Sequence, residues 1–175
     1  MKSSQITSTL ILAIVLTILG WQLKFSLVFL WIGLFLGNFL YHLDHLIYCL
    51  IQAPYEFTAQ RIKRMIEQKQ YRQSLDLLMG SEGERKKTIF HSVVFQVGLV
   101  VACFLILTSS SSLLGKGMVM GLLLHSLVEQ GRALVKRETI DDWFWQIKAQ
   151  IPQTTQAIYF FSLVFISSIF ILFFF

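Results

Sequence analysis

Proline, cysteine and charged residues are all scarce in this chain. Of its 175 residues only two are Pro and two are Cys, and charged residues make up 14%, against 55% apolar residues. So little charge is unlike the composition of an ordinary soluble domain. Apolar runs of 18 or more residues recur, which is typical of transmembrane helices. The two Cys fall at different depths of these runs, which argues against a disulfide bond. We expect an all-α, polytopic integral membrane protein with a single domain over residues 1–175.

Two kinds of catalytic motif are also missing. The sequence contains neither a glycine-rich nucleotide-binding loop nor a GxSxG segment, which is typical of a serine nucleophile elbow. The net charge of +5 comes without the aromatic-interleaved basic platform that binds nucleic acid. We therefore expect no nucleic-acid partner and interpret the positive charge as a signal of membrane orientation.

Five apolar stretches are the predicted spans. Residues 6–23, 25–51, 88–114 and 157–175 are the clear ones, and the shorter stretch 117–128 fits between two polar segments. The first has no small-x-small cleavage site after it, so we interpret it as a retained helix. With five spans, 13 of the 15 Lys and Arg residues fall on one side. Cytoplasmic loops carry such an excess, which predicts a cytoplasmic N-terminus and a multi-pass protein of the cell inner membrane.

Two polar segments are predicted to lie at the cytoplasmic surface. Segment 55–87 has the apolar spacing of two short amphipathic helices, and segment 138–152 contains Trp143 and Trp145, which fit an interfacial anchor. The expected partners are thus the lipid bilayer itself and, for the basic surface, an anionic lipid or a cytoplasmic protein.

Ionisable side chains inside the apolar stretches are the candidate functional residues. Of ten acids only two lie in or at the edge of a predicted span, and all four His residues lie in or beside spans. The predicted topology puts five of these side chains within roughly 10 Å of the cytoplasmic boundary. They are Asp44, His45, His91, His125 and Glu129.

Helical spacing predicts which of these side chains face the interior. Gly33 and Gly37 form a GxxxG pair, the pattern that lets two helices approach closely. At 100° per residue, Asp44 lies only about 20° from Gly37 and His45 about 80° away, whereas His42 lies about 140° away. Asp44 and His45 are therefore predicted to face the interior and His42 to point aside.

The fourth helix repeats this arrangement. Gly117 and Gly121 lead at steps of four to His125 and Glu129. Gln96, on the third helix, is expected to form an interhelical hydrogen bond. Three helices would thus bring ionisable residues together at one end of the bundle.

Imidazoles and carboxylates in such a cluster are the donors that divalent transition metals prefer. We predict a zinc or manganese site with Asp44, His45, His91 and His125 as ligands, and Asp44 or Glu129 as catalytic base. A metal-bound water could then act as nucleophile. The cations predicted to hold a substrate phosphate are Lys86, Lys87 and Arg132.

Other interpretations stay open. A single intramembrane His is most often a packing residue, so the chain could be a non-catalytic scaffold or interaction protein with a basic cytoplasmic surface. A haem protein with His91 and His125 as axial ligands is the third alternative.

Three short segments carry a resemblance to a known family. They are residues 40–45 (LYHLDH), 90–92 (FHS) and 125–129 (HSLVE). In order and spacing they resemble the motifs of the bacterial predicted membrane-bound metal-dependent hydrolases, although Tyr-His replaces Pro-Asp in the first and Glu replaces Asp in the third. The resemblance implies a divalent metal site and a hydrolase. We expect the substrate to be a phosphoester or lipid-like molecule at the cytoplasmic leaflet.

Overall fold

The computed structural model describes residues 3–19, 26–81, 87–136, 140–147 and 151–172, and this part of the chain contains helices and no strand. The α-helices are α1 (Ser3–Leu19), α2 (Leu27–Leu40), α3 (Leu43–Ile47), α4 (Phe57–Glu67), α5 (Tyr71–Gly80), α6 (Val93–Ser109), α7 (Leu113–Val135) and α8 (Gln153–Leu172). A π-helical turn (Tyr48–Gln52) follows α3, and a 3₁₀ turn (Asp141–Phe144) precedes α8. The all-α prediction is confirmed.

Close contact between α2 and α7 is the centre of the fold. A Cβ atom added at Gly33, Gly37, Gly117 or Gly121 would lie closer than 3.0 Å to a backbone carbonyl oxygen of the opposite helix. These glycines thus allow two backbones to touch, as the GxxxG pattern predicts. The apolar core continues from this contact, where Leu30, Leu34 and Leu123 are among its buried members.

Helix α7 lies inside the bundle, in contact with α1, α2, α6 and α8. Its polar residues therefore face other helices. Gln130 Nε2 donates a hydrogen bond to Oε1 of Gln96 on α6 (2.9 Å), and the Tyr159 hydroxyl on α8 donates to the same oxygen (2.6 Å). The predicted interhelical role of Gln96 is confirmed.

The second apolar run is not one regular helix. After α2 ends at Leu40, the amide of His42 donates to the carbonyl of Phe39 (2.9 Å) and the amide of Asp44 to that of Tyr41 (3.3 Å). These are bonds to the third residue back, and three residues per turn correspond to about 120° per residue rather than 100°. The uniform spacing used to orient residues 42–45 does not hold across this turn.

The third helix also begins later than expected. The Ser92 side chain caps α6 by accepting a hydrogen bond from the Phe95 amide (3.2 Å), so α6 starts at Val93 and His91 lies in the preceding loop. His91 is thus held by a loop that packs against the end of the bundle.

Two helical segments are long and apolar enough to cross a membrane by length and composition, Leu27–Gln52 and Gln153–Leu172. The first combines α2, α3 and the π-helical turn, because the backbone stays in the α region through Tyr41 and His42. Two shorter apolar helices, Ser4–Leu19 and Val93–Ser109, accompany them.

Helices α4 and α5 form the two short amphipathic helices that were predicted. Ala59 and Ile62 of α4 and Leu78 of α5 are buried together against Cys49. One of the two Trp residues predicted to anchor the chain at the membrane surface lies elsewhere. Trp143 is buried inside the protein, beside Tyr41 and Phe144. It fills the interior, where apolar burial stabilises the fold.

Candidate functional site

The candidate site is built around a His side chain that bridges two carboxylates. His91 Nδ1 lies 3.1 Å from Asp44 Oδ2, and His91 Nε2 lies 2.7 Å from Glu129 Oε2. When both ring nitrogens face ionised carboxylates, the ring must donate from both, which makes it an imidazolium. The three residues, from α3, the loop before α6 and α7, therefore form one ion-paired unit, named here the carboxylate bridge.

Asp44 is the buried end of the carboxylate bridge. Its side chain is 0% exposed, and Oδ2 also accepts a hydrogen bond from the Phe90 amide (2.8 Å). Thr88 Oγ1 lies 2.7 Å from His91 Nδ1 and shares that nitrogen with Asp44. The other oxygen, Oδ1, is buried without a hydrogen-bond partner within the described ranges. A buried carboxylate of this kind depends strongly on its imidazolium partner.

A second His joins α7 to α1. His125 Nε2 lies 3.0 Å from Nε2 of Gln5, which also donates to Glu129 Oε1 (3.2 Å). Because an amide nitrogen can only donate, His125 Nε2 accepts here and Nδ1 donates to Oδ1 of Asn38. Asn38 in turn donates to Thr9 Oγ1 (3.1 Å). His125 thus connects α7 to α1 through Gln5 and to α2 through Asn38.

Tyr41 covers both rings. It is 1% exposed, stacks on His125 with ring centres 4.1 Å apart, and meets His91 edge-on at 4.8 Å. Its hydroxyl donates to the carbonyl of Phe90 (2.8 Å). This aromatic lid excludes water from one side of the carboxylate bridge, which strengthens the ion pairs within it.

The remaining two His residues lie at the edge of the cluster. His45 is buried, with its ring 5.6 Å from that of His91, and the His42 ring meets that of His125 edge-on at 5.2 Å. The prediction that His42 points aside is wrong, because its ring contacts that of His125 on α7.

A cavity of about 270 Å³ opens beside the cluster. Its polar lining is Gln5, His42, His45 and Glu129. Its apolar lining is Phe39, Leu43, Leu46, Leu75, Leu78 and Met79. Glu129 is the one residue of the carboxylate bridge that also lines this cavity.

Two of the three predicted phosphate-binding cations, Lys87 and Arg132, can be located in the structure. Lys87 is exposed in the loop before His91, and Arg132 is half-buried near the end of α7. Neither lines the cavity, and Lys86 lies outside the described residues.

A divalent ion does not fit the cluster in this arrangement. No group of three or more His, Cys, Asp and Glu side chains in the described part of the chain could hold one. The reason is that the donors bind one another: both nitrogens of His91 face carboxylates and Nδ1 of His125 faces Asn38. The zinc or manganese site stays a prediction.

Three residues of the cluster were missed by the sequence reasoning: Gln5, Asn38 and Tyr41. Asn38 lies within the predicted span 25–51 and so carried the signal of a polar residue in an apolar run, whereas Gln5 lies just before the predicted span 6–23 and carried none. Tyr41 gave no such signal, because an aromatic residue is ordinary in an apolar helix.

No protein family, no curated protein and no solved structure matches this chain. Its function is therefore inferred from the geometry of the cluster and the cavity.

Proposed function

We propose that the protein is a membrane-embedded hydrolase that cleaves an ester or phosphoester bond of a lipid-like substrate at the cytoplasmic leaflet. The observation that carries this proposal is that Glu129 belongs both to the carboxylate bridge and to the lining of the cavity. It is held by His91 in the carboxylate bridge and by Gln5, and it faces the apolar cavity. A carboxylate that is fixed in position beside a cavity of this size is placed to accept a proton from a molecule in the cavity.

The exposed surface supports a membrane location. Large apolar side chains are exposed on four of the long helices, among them Ile14 on α1, Phe29 on α2, Val97 on α6 and Phe161 on α8. An apolar surface on all sides favours lipid as the surroundings. We propose that five helices span the membrane, with α7 enclosed by the other four. The N-terminus lies in the cytoplasm, and the membrane is the inner membrane of the cell.

In the proposed reaction Glu129 accepts a proton from a water molecule in the cavity. The oxygen of that water attacks the carbonyl carbon or phosphorus of the substrate, and the bond to the leaving alkoxide breaks. The alkoxide then takes the proton back from Glu129, so that the products are an acid and an alcohol. The His42 and His45 rings at the cavity wall are placed to orient the polar group of the substrate.

Asp44 has a positioning role in this scheme. It is fully buried and does not line the cavity, but it holds His91 from the side opposite Glu129. His91 in turn contacts Glu129 through its other ring nitrogen and so fixes the orientation of that carboxylate at the cavity.

Glu129→Gln is the variant that tests the proposed function. We expect purified wild-type protein in vesicles of bacterial polar lipids to release a fatty acid, an alcohol or a phosphate compound that mass spectrometry detects. The variant should lose this activity by about 100-fold or more, the usual contribution of a general base. Glu67→Gln is the matched control, because Glu67 is an exposed acid on α4.

Two outcomes would contradict this proposal. Folded wild-type protein that changes none of the lipids would instead favour the scaffold alternative. Activity that a chelator abolishes, with stoichiometric zinc or manganese in the wild type and none in Asp44→Asn or His91→Ala, would replace the general base by the predicted metal site.

A further inference from the structure

The cavity beside Glu129 has two facing apolar walls. Phe39, Leu43 and Leu46 form one wall along α2 and α3, and α5 forms the other with Leu78 and its neighbours. The polar groups of the cavity are close together, because Gln5 donates to Glu129 and the rings of His42 and His45 contact those of His125 and His91. An apolar slot that ends in imidazoles and a carboxylate fits a molecule with an alkyl chain and a polar head.

The α2–α3 wall continues an exposed apolar surface. Ile32 and Leu36 are 43% and 42% exposed, and Phe39, at the mouth of the cavity, is 53% exposed. Within α2 these three residues follow one another at steps of four and three, which places them on one face of that helix. Leu43 and Leu46 of α3 line the same cavity as Phe39. This face belongs to Leu27–Gln52, one of the two segments able to span a membrane. The cavity is thus open towards the side where acyl chains would lie.

The α5 wall has a matching exposed stripe. Tyr71, Leu75 and Met79 are spaced four residues apart and are 58%, 53% and 54% exposed. Leu75 and Met79 also line the cavity, whereas Tyr71 does not. The short helix α5 therefore presents a continuous apolar edge from the surface of the protein to the slot, as an interfacial helix does.

From this continuity we infer that the cavity binds one acyl chain of a bilayer lipid, which enters sideways between α2–α3 and α5. The chain lies between the two apolar walls, and the polar group at its end reaches His42, His45 and Glu129. This inference depends on the proposed function only for the fate of the lipid, because binding of the chain does not require Glu129 to act as a base.

Photo-cross-linking separates binding from turnover. The probe is phosphatidylglycerol with a diazirine at the end of one acyl chain, carried in phosphatidylcholine vesicles that contain the full-length protein. We expect cross-links on the cavity side chains Phe39, Leu46 and Leu78 of the wild type, whether or not the lipid is also hydrolysed. Phe161 on α8 is exposed and does not line this cavity, so it reports the general labelling of the surface.

Met79→Trp is the blocking variant, and Tyr71→Trp is its control on the same stripe. Both positions are exposed, so the larger ring should not prevent folding. In Met79→Trp we expect labelling of Phe39 and Leu78 to fall about tenfold, the effect of excluding two or so methylene groups from the slot. Labelling of Phe161 should not change in either variant.

Equal labelling of the cavity in Met79→Trp and Tyr71→Trp would overturn the inference. So would cavity labelling by a water-soluble short-chain diazirine amphiphile but not by the vesicle lipid, since the ligand would then come from water. Normal labelling together with no lipid hydrolysis would leave the acyl-chain site standing and remove only the hydrolase.

Discussion

Gly37→Ala is expected to lower the melting temperature of the purified protein by roughly 5 °C or more. The added Cβ would lie closer than 3.0 Å to the carbonyl oxygen of Met118 and to the amide nitrogen of Leu122. These are backbone atoms of α7 and cannot rotate away as a side chain does. Helices α2 and α7 must therefore separate, and overpacking of this kind costs about 1–3 kcal/mol. Thermal unfolding in detergent, followed by circular dichroism, measures the change.

Gly98→Ala provides the matched control. Gly98 is also a glycine in an apolar helix, α6, but a Cβ added there would have nothing within 4 Å. Alanine is better than glycine in a helix by roughly 1 kcal/mol, so this variant should be as stable as the wild type or slightly more stable. If the two variants unfolded at the same temperature, the close packing of α2 on α7 would not be a main source of stability.

The glycine contact is the part of the fold that the sequence predicted best. Within a continuous α-helix the spacing of residues determines the face on which they lie, and Gly33, Gly37, Gly117 and Gly121 all belong to uninterrupted helices. Composition alone was sufficient for the all-α class. The five-span arrangement is still a prediction, because in the part of the chain that the structure describes only two helical segments qualify by length and composition.

The candidate site was predictable only in part. Asp44, His91, His125 and Glu129 were expected at one end of the bundle, and the structure brings them into contact. The contact of His42 with His125 was not predictable from helical spacing, because spacing within one helix does not give the position of a side chain on another.

Partners from distant parts of the chain were harder to predict. Gln5 comes from α1, more than a hundred residues before the groups that it binds, and one amide has no spacing from which to derive a direction. The contact of both His91 ring nitrogens with carboxylates likewise depends on how the loop before α6 lies relative to α3 and α7. Candidate ligands can be identified in a sequence, whereas a sequence does not reveal whether they bind a metal or each other.

Removal of the Asp44 carboxylate is the second change with a large expected effect. Asp44→Ala leaves the imidazolium of His91 with one anionic partner and leaves the Phe90 amide without its acceptor. Loss of one partner of a buried ion pair costs about 3–5 kcal/mol. Chemical denaturation of the purified protein measures this loss of unfolding free energy. Asp76→Ala, at an exposed acid on α5, should change the stability little.

A double-mutant cycle separates the ion pair from simple loss of packing. His91→Ala alone should also destabilise the protein, since it leaves Asp44 and Glu129 as buried or half-buried anions without the cation between them. Once either partner is absent, removing the other no longer breaks an ion pair. The double variant Asp44→Ala/His91→Ala should therefore lose about 1–3 kcal/mol less than the two single losses combined. Additive losses would mean that Asp44 and His91 stabilise the fold independently, and the positioning of Glu129 through His91 would then have no energetic support.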